Sequence, residues 1–82
     1  MAKGQFKEPV RIQLGRIDRD RLVLGVKDAA AILLREWPAE ETPRRTKAMA
    51  ACLGVIRGTK PPSYARRYFV AACKEANVLL EL

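Results

Sequence analysis

The side chains best equipped for chemistry in this chain are two cysteines, Cys52 and Cys73, one serine, Ser63, and two closely spaced carboxylates, Asp18 and Asp20. A thiol or hydroxyl nucleophile needs a base beside it, and the sequence holds no histidine. A structural zinc needs about four Cys, His or carboxylate ligands, and neither cysteine belongs to a CxxC pair. Both lie among alanines and aliphatics, which reads as small apolar core residues in a reducing compartment. A disulfide or a reactive thiol is the other reading. Ser63 follows two prolines and reads as a cap at a helix start. Asp18 and Asp20 alternate with Arg16, Arg19 and Arg21, a pattern that favours ion pairs within the chain over a metal site. No glycine-rich stretch matches a phosphate loop or a dinucleotide fingerprint. The expectation is therefore a protein that is not an enzyme and takes no cofactor and no metal. A site assembled from Arg, Tyr and Glu across an oligomer is the one catalytic route this inventory leaves open.

The cations are a better lead. In "REWPAEETPRRTK", Arg35 to Lys47, acidic groups give way abruptly to basic ones. Arg44, Arg45 and Lys47 fall in the first turns of a helix, where each cation is unfavourable by roughly 0.3–1 kcal/mol. Helix stability does not explain them. Either Glu36, Glu40 and Glu41 offset them locally, or they meet an anion. Together with Lys60, Arg66 and Arg67 they form the candidate set for binding an anion or a partner: an acidic protein, a nucleic acid or a phosphorylated ligand. Two helices joined by "GTKPPS" would imitate a helix-turn-helix with Tyr64, Arg66 and Arg67 facing a groove. Against this, the linker is long and carries two prolines, few side chains there can read bases, and the preceding helix is strongly apolar.

The elements that must carry these residues are legible in outline. Val10, Ile12 and Leu14 alternate with polar residues, as do Leu22, Leu24 and Val26, with Val23 the exception. Such alternation predicts a β-hairpin over 9–26 with one face on a core. Gly15 and the aspartates supply the turn, and Pro9 suits the start of an edge strand. A first helix is expected over 27–37, with Ala29, Ala30, Leu33, Leu34 and Trp37 on one stripe and Pro38 marking its end. A second is expected over 43–57, with Thr42 as N-cap, Pro43 at the first position and Gly58 past the end. Its stretch from Ala48 to Ile56 holds no charge, which predicts a helix enclosed on most sides and central to the domain. The third is expected over 62–76. Its stripe is Ala65, Tyr68, Phe69, Ala72, Cys73 and Ala76, and Asn77 closes it in the left-handed conformation. The tail "VLLEL" is expected to pack on the core, and residues 1–8 to be flexible.

The chain has 82 residues, about half of them hydrophobic. That suits one domain, 1–82, with a small core. No apolar run approaches the roughly 18 residues of a membrane span, and the first residues lack a hydrophobic stretch behind their lysine. A cytoplasmic protein is expected. The net charge is +7. Met1 to Glu40 carries eight basic and six acidic residues, while Glu41 to Leu82 carries eight basic and three acidic. The excess thus lies in the second half, which permits an anionic partner without requiring one.

Trp37 and Pro38, then Ala48 and Cys52, then Gly58, then "ARRYFVAACKEA" from Ala65 to Ala76 make an ordered series. It resembles a family of short proteins found mainly in rhizobia and related soil α-proteobacteria and classed as a domain of unknown function. The resemblance covers about Val10 to Val78. It implies a cytosolic single domain without an assigned activity, so no catalytic residues carry over. Trp37, Cys52, Ala65, Phe69, Ala72 and Ala76 fit packing roles within it. Arg66 is the charged exception, facing a partner or pairing with Glu36 or the chain end. Asn77 stands where a glycine is expected. The resulting expectation is an α+β fold with an N-terminal β-hairpin packed on three α-helices. The function expected is a small non-enzymatic protein-interaction module, self-association being one form of it. The alternative is a nucleic-acid binder using the basic C-terminal half.

Overall fold

The computed structural model describes residues 4–14, 20–38 and 40–81. Strand β1 (Gln5–Gln13) and strand β2 (Asp20–Gly25) form the expected antiparallel hairpin. Helix α1 (Val26–Ala31) follows directly and continues as a π-helical segment, Ile32–Glu36. Helices α2 (Pro43–Ile56) and α3 (Pro62–Glu75) come next. A short strand, β3 (Leu79–Glu81), then pairs with β1, giving the sheet order β2-β1-β3. The α+β architecture is as the sequence implied. The third strand is an addition: the apolar tail packs on the core by joining the sheet. The turn expected from Gly15 and Asp18 lies outside the described residues.

Two corrections concern the sheet. Strand β1 begins at Gln5, so residues expected to be flexible are in strand, and Phe6 is buried. Gly4 anchors this end. Its carbonyl accepts the Val26 amide at 2.7 Å, and its φ of 88° leaves a Cβ no room beside the Val26 side chain. In β2 the phase is reversed. Val23 is fully buried opposite Val10, whereas Leu22 is 56% and Leu24 48% exposed. Val26 is buried as the first residue of α1, not as a strand residue. Pro9 lies inside β1, the middle strand. It is tolerated because the β1–β2 register shifts between Gln5 and Val10 and β3 reaches only Arg11 and Ile12.

The helices bury one face each. In α1 and the π-helical segment the buried residues are Val26, Ala29, Ile32 and Leu33. Leu34, expected inside, is exposed, and Ala30 and Trp37 are half-buried. A π-turn advances more residues per revolution than an α-turn, so the stripe drifts from the 3.6-residue period here. Trp37 leaves the helix in an extended conformation before Pro38, as the proline demands.

Helix α2 lies between the α1 segment and α3 in the helical layer. Its enclosure is partial, which corrects the expectation of burial on most sides. Ala48, Ala51, Cys52 and Val55 face the core, while Leu53 and Ile56 are 45% and 51% exposed. Helix α3 packs on β1 and on α2, and its buried residues Ala65, Phe69, Val70, Ala72 and Cys73 complete a single core cluster. Trp37 meets Phe69 with ring centroids 6.4 Å apart. No helix among the described residues is long and apolar enough to cross a membrane.

Both long helices stop by the same device. At the end of α2, Gly58 N–H donates to the Val55 carbonyl and Thr59 N–H to that of Gly54. At the end of α3, Asn77 N–H donates to Lys74 and Val78 N–H to Cys73. These are paired C-terminal bonds of the Schellman type, with Gly58 at φ 85° and Asn77 at φ 61° supplying the left-handed residue.

Candidate functional site

The six candidate cations do not act as one set. Arg45 is spent on the fold. Its side chain is only 19% exposed, its Nη2 donates to the Leu33 carbonyl, and its Nη1 lies 3.7 Å from Glu41 Oε1. The terminal carbonyls of a helix lack intrahelical partners, and Arg45 satisfies one where the π-helical segment ends. Arg66 is also spent. Its Nε donates to the Glu8 carbonyl at 2.8 Å, tying α3 to β1 where the strand bulges. Its Nη2 is buried without a partner. The pairing with Glu36 expected for Arg66 does not form, since Glu36 bonds to Arg21 instead; the chain end, Leu82, lies outside the described residues.

The other four lie differently. The first turns of α2 and the middle of α3 enclose a groove of about 380 Å³, lined by Pro43, Arg44, Lys47, Tyr68 and Ala71. Arg44 Nε lies 3.6 Å from Glu75 Oε2, an exposed pair. Glu75 also accepts the hydroxyl of Thr42, whose oxygen in turn caps α2 by accepting the Arg45 amide at 3.3 Å. Lys47 Nζ stands 5.3 Å from the centre of the Tyr68 ring, and Lys60 Nζ stands 4.8 Å from that of Tyr64. The two tyrosines meet edge to face at 5.0 Å. Lys60, Tyr64, Tyr68 and Lys47 thus form a continuous ladder of cation, ring, ring and cation. Arg67, exposed on α3, has no partner among the described residues.

The sequence contained part of the signal for this ladder: Tyr64 and Tyr68 lie four apart, which puts them along one face of α3, with Lys60 in the linker just before that helix. What it hid was the partner helix. Thr42 contacts Glu75 at one end of the pair, and Gly54 accepts the Lys60 amide at the other. Helices α2 and α3 therefore form an antiparallel hairpin along their length. A helix-turn-helix crosses its helices steeply, so that imitation is not realised.

Of the other reactive side chains, the cysteines are buried and Asp20 is paired. Ser63 is exposed and, contrary to expectation, caps nothing: the residue before α3 is Pro61 and no side chain caps the helix. Cys52 and Cys73 are free and buried, and burial pushes their thiols up to about 11 and about 12. Both values oppose thiolate chemistry. Asp20 forms an ion pair within the chain, 3.8 Å from Arg11 across the hairpin, and not with its neighbour Arg21, which pairs with Glu36. Asp18, Arg16 and Arg19 fall outside the described residues. No group of three or more potential metal ligands occurs among the described residues.

Fold and surface together define a small α+β domain with a cation-bordered helical groove. The chain belongs to the family described as protein of unknown function, DUF982, whose pattern matches residues 8–80. No curated protein and no solved structure matches the chain.

Proposed function

We propose that this protein is a small non-enzymatic protein-interaction module of the cytoplasm, and that the α2–α3 groove is where it meets its partner. The observation that carries the reading is the coincidence of unspent charge with accessible apolar surface. Lys47 and Lys60 have no carboxylate partner among the described residues; Lys47 lines a groove shared with Pro43, Tyr68 and Ala71, and Lys60 stands beyond it, over the adjoining Tyr64 ring. Surfaces of this kind mark docking sites in small domains. Two buried free thiols suit a reducing compartment.

The test is photo-crosslinking in cells from a reactive residue placed at Ala71, compared with one placed at Leu24 on the sheet. The reading expects a discrete protein adduct from Ala71 that disappears with Lys47→Glu. Equal adducts from both positions, or adducts indifferent to Lys47→Glu, would reject it.

The alternation of cations and rings favours a second reading, nucleic-acid binding. Titration with duplex and single-stranded oligonucleotides at several salt concentrations separates the two. Phosphate contacts make affinity fall steeply with salt, and absence of binding at low salt removes this reading.

A further inference from the structure

We infer that the α2–α3 groove takes an acidic amphipathic helix from another protein, with its carboxylates on Lys47 and Lys60 and its apolar side chains on Tyr68 and Ala71. This rests on the reading of the groove as a protein-docking surface and adds the chemistry of the occupant.

Charge decides among the occupants. The groove is lined by Arg44 and Lys47, and Lys60 stands beyond it over the adjoining Tyr64 ring. Of the nearby carboxylates, Glu75 is held by Arg44 and Thr42, and Glu41 is paired with Arg45. A neutral apolar segment would bury the base of the groove but leave the two lysines facing no counter-charge. A second copy of this chain is a poor fit. It would bring a net charge of +7 against a basic surface, and its own described acids are mostly committed. Glu36 is on Arg21, Glu41 on Arg45, Asp20 on Arg11, and Asp28 accepts the Leu24 amide. Among the acids whose side chains are described, Glu8 and Glu40 are left without a side-chain partner, and they lie in separate parts of the chain. A nucleic acid needs open rings on which bases stack. The Lys47 and Lys60 ammonium groups stand over the Tyr68 and Tyr64 rings and would compete with a base for stacking there.

Spacing points to a helix. The two lysines sit over neighbouring rings that are one helical turn apart in α3. Carboxylates at i and i+4 on a docked helix are separated by about 6 Å along its axis, comparable with the 5.0 Å between the two ring centres. Leucines on the same face would reach the apolar base, in the manner of other helix-in-groove complexes.

The experiment uses the full chain, labelled for NMR, and synthetic helical peptides of about 16 residues. One carries Glu at i and i+4 flanked by Leu. A second replaces each Glu with Gln, and a third replaces each Leu with Ser. Single-stranded and duplex oligonucleotides complete the set. The Glu/Leu peptide is expected to shift the amides of Lys47, Tyr68 and Ala71, and each replacement to weaken binding about tenfold or more. A double variant, K47E/K60E, checked for an unchanged fold by circular dichroism, is expected to lose the Glu/Leu peptide and gain a Lys/Leu counterpart. If the Gln peptide binds in the groove as well as the Glu peptide, the acidic specificity is wrong while the docking surface stands. If oligonucleotides fill the groove and no peptide does, or if nothing binds there, both readings fall together.

Discussion

Arg45 shows how a residue can look like a ligand-binding cation and be a structural one. Its bond to the Leu33 carbonyl joins the start of α2 to the end of the π-helical segment. Hydrogen bonds to charged groups are worth about 1.5–3 kcal/mol, and residual exposure lowers this. Arg45→Met is expected to cost about 1–2 kcal/mol in urea unfolding. Arg67→Met, at an exposed position, should stay within about 0.5 kcal/mol. Equal effects would show that Arg45 is not a tie. The cysteines yield a second prediction. Their thiols are raised by burial from an ordinary 9.0 to about 11 and about 12. Above that ordinary value the unfolded chain binds fewer protons than the folded one. The thiol contribution to stability is thus constant below about pH 9 and is lost as pH climbs through the folded values. At pH 8, a disulfide reagent should label neither cysteine in the native protein, and labelling across a urea titration should track the unfolded fraction. Rapid native labelling would contradict their burial.

At the scale of elements, helix ends were legible and strand phase was not. Thr42, Pro43, Gly58 and Asn77 each act through backbone chemistry that their residue type announces. "LVL" offered two inside–outside assignments, and the more numerous leucines favoured the wrong one. The pairing of Val23 with Val10 across the sheet decides the matter, and such long-range register is not contained in one strand's sequence. Val23→Ala should therefore cost about 2 kcal/mol, and Leu22→Ala less than about 0.5 kcal/mol, by urea midpoint. The reverse order would restore the first assignment. The helix ends can be tested as cleanly. A Cβ at Gly58 meets nothing within 4 Å, so Gly58→Ala should cost only the left-handed backbone penalty, about 1–2 kcal/mol. Asn77→Gly should instead stabilise α3 by up to about 1 kcal/mol. An Ala at 58 without cost would mean that the helix end relaxes.

For the whole molecule, the sequence showed a basic second half but not its division. Arg45 and Arg66 are drawn into the fold by Leu33 and Glu8, contacts that no local pattern announces. Lys47 reaches the Tyr68 ring, beside the Lys60–Tyr64 pair, only because α2 and α3 fold back on each other. The apolar stretch of α2 misled for a related reason: lack of charge does not distinguish a wrapped helix from one with an open apolar side. With a net charge of +7, self-repulsion should be measurable. Raising salt from about 0.02 M to about 0.5 M shortens the screening length severalfold and is expected to raise Tm by a few degrees. Lys60→Glu should reduce that rise, as followed by the fluorescence of the single tryptophan, Trp37.

The sheet order also has a history during synthesis. Strand β1 is flanked by β2, made a few residues later, and by β3, made only after all the helices. Until the ribosome delivers Leu79, one side of β1 has no strand to pair with, and such sides attract other nascent chains. Pro9, which has no N–H to offer, interrupts β1 beyond the reach of β3, which pairs only at Arg11 and Ile12. Replacing Pro9 with valine would leave the finished fold largely intact, yet should make the newborn chain stickier.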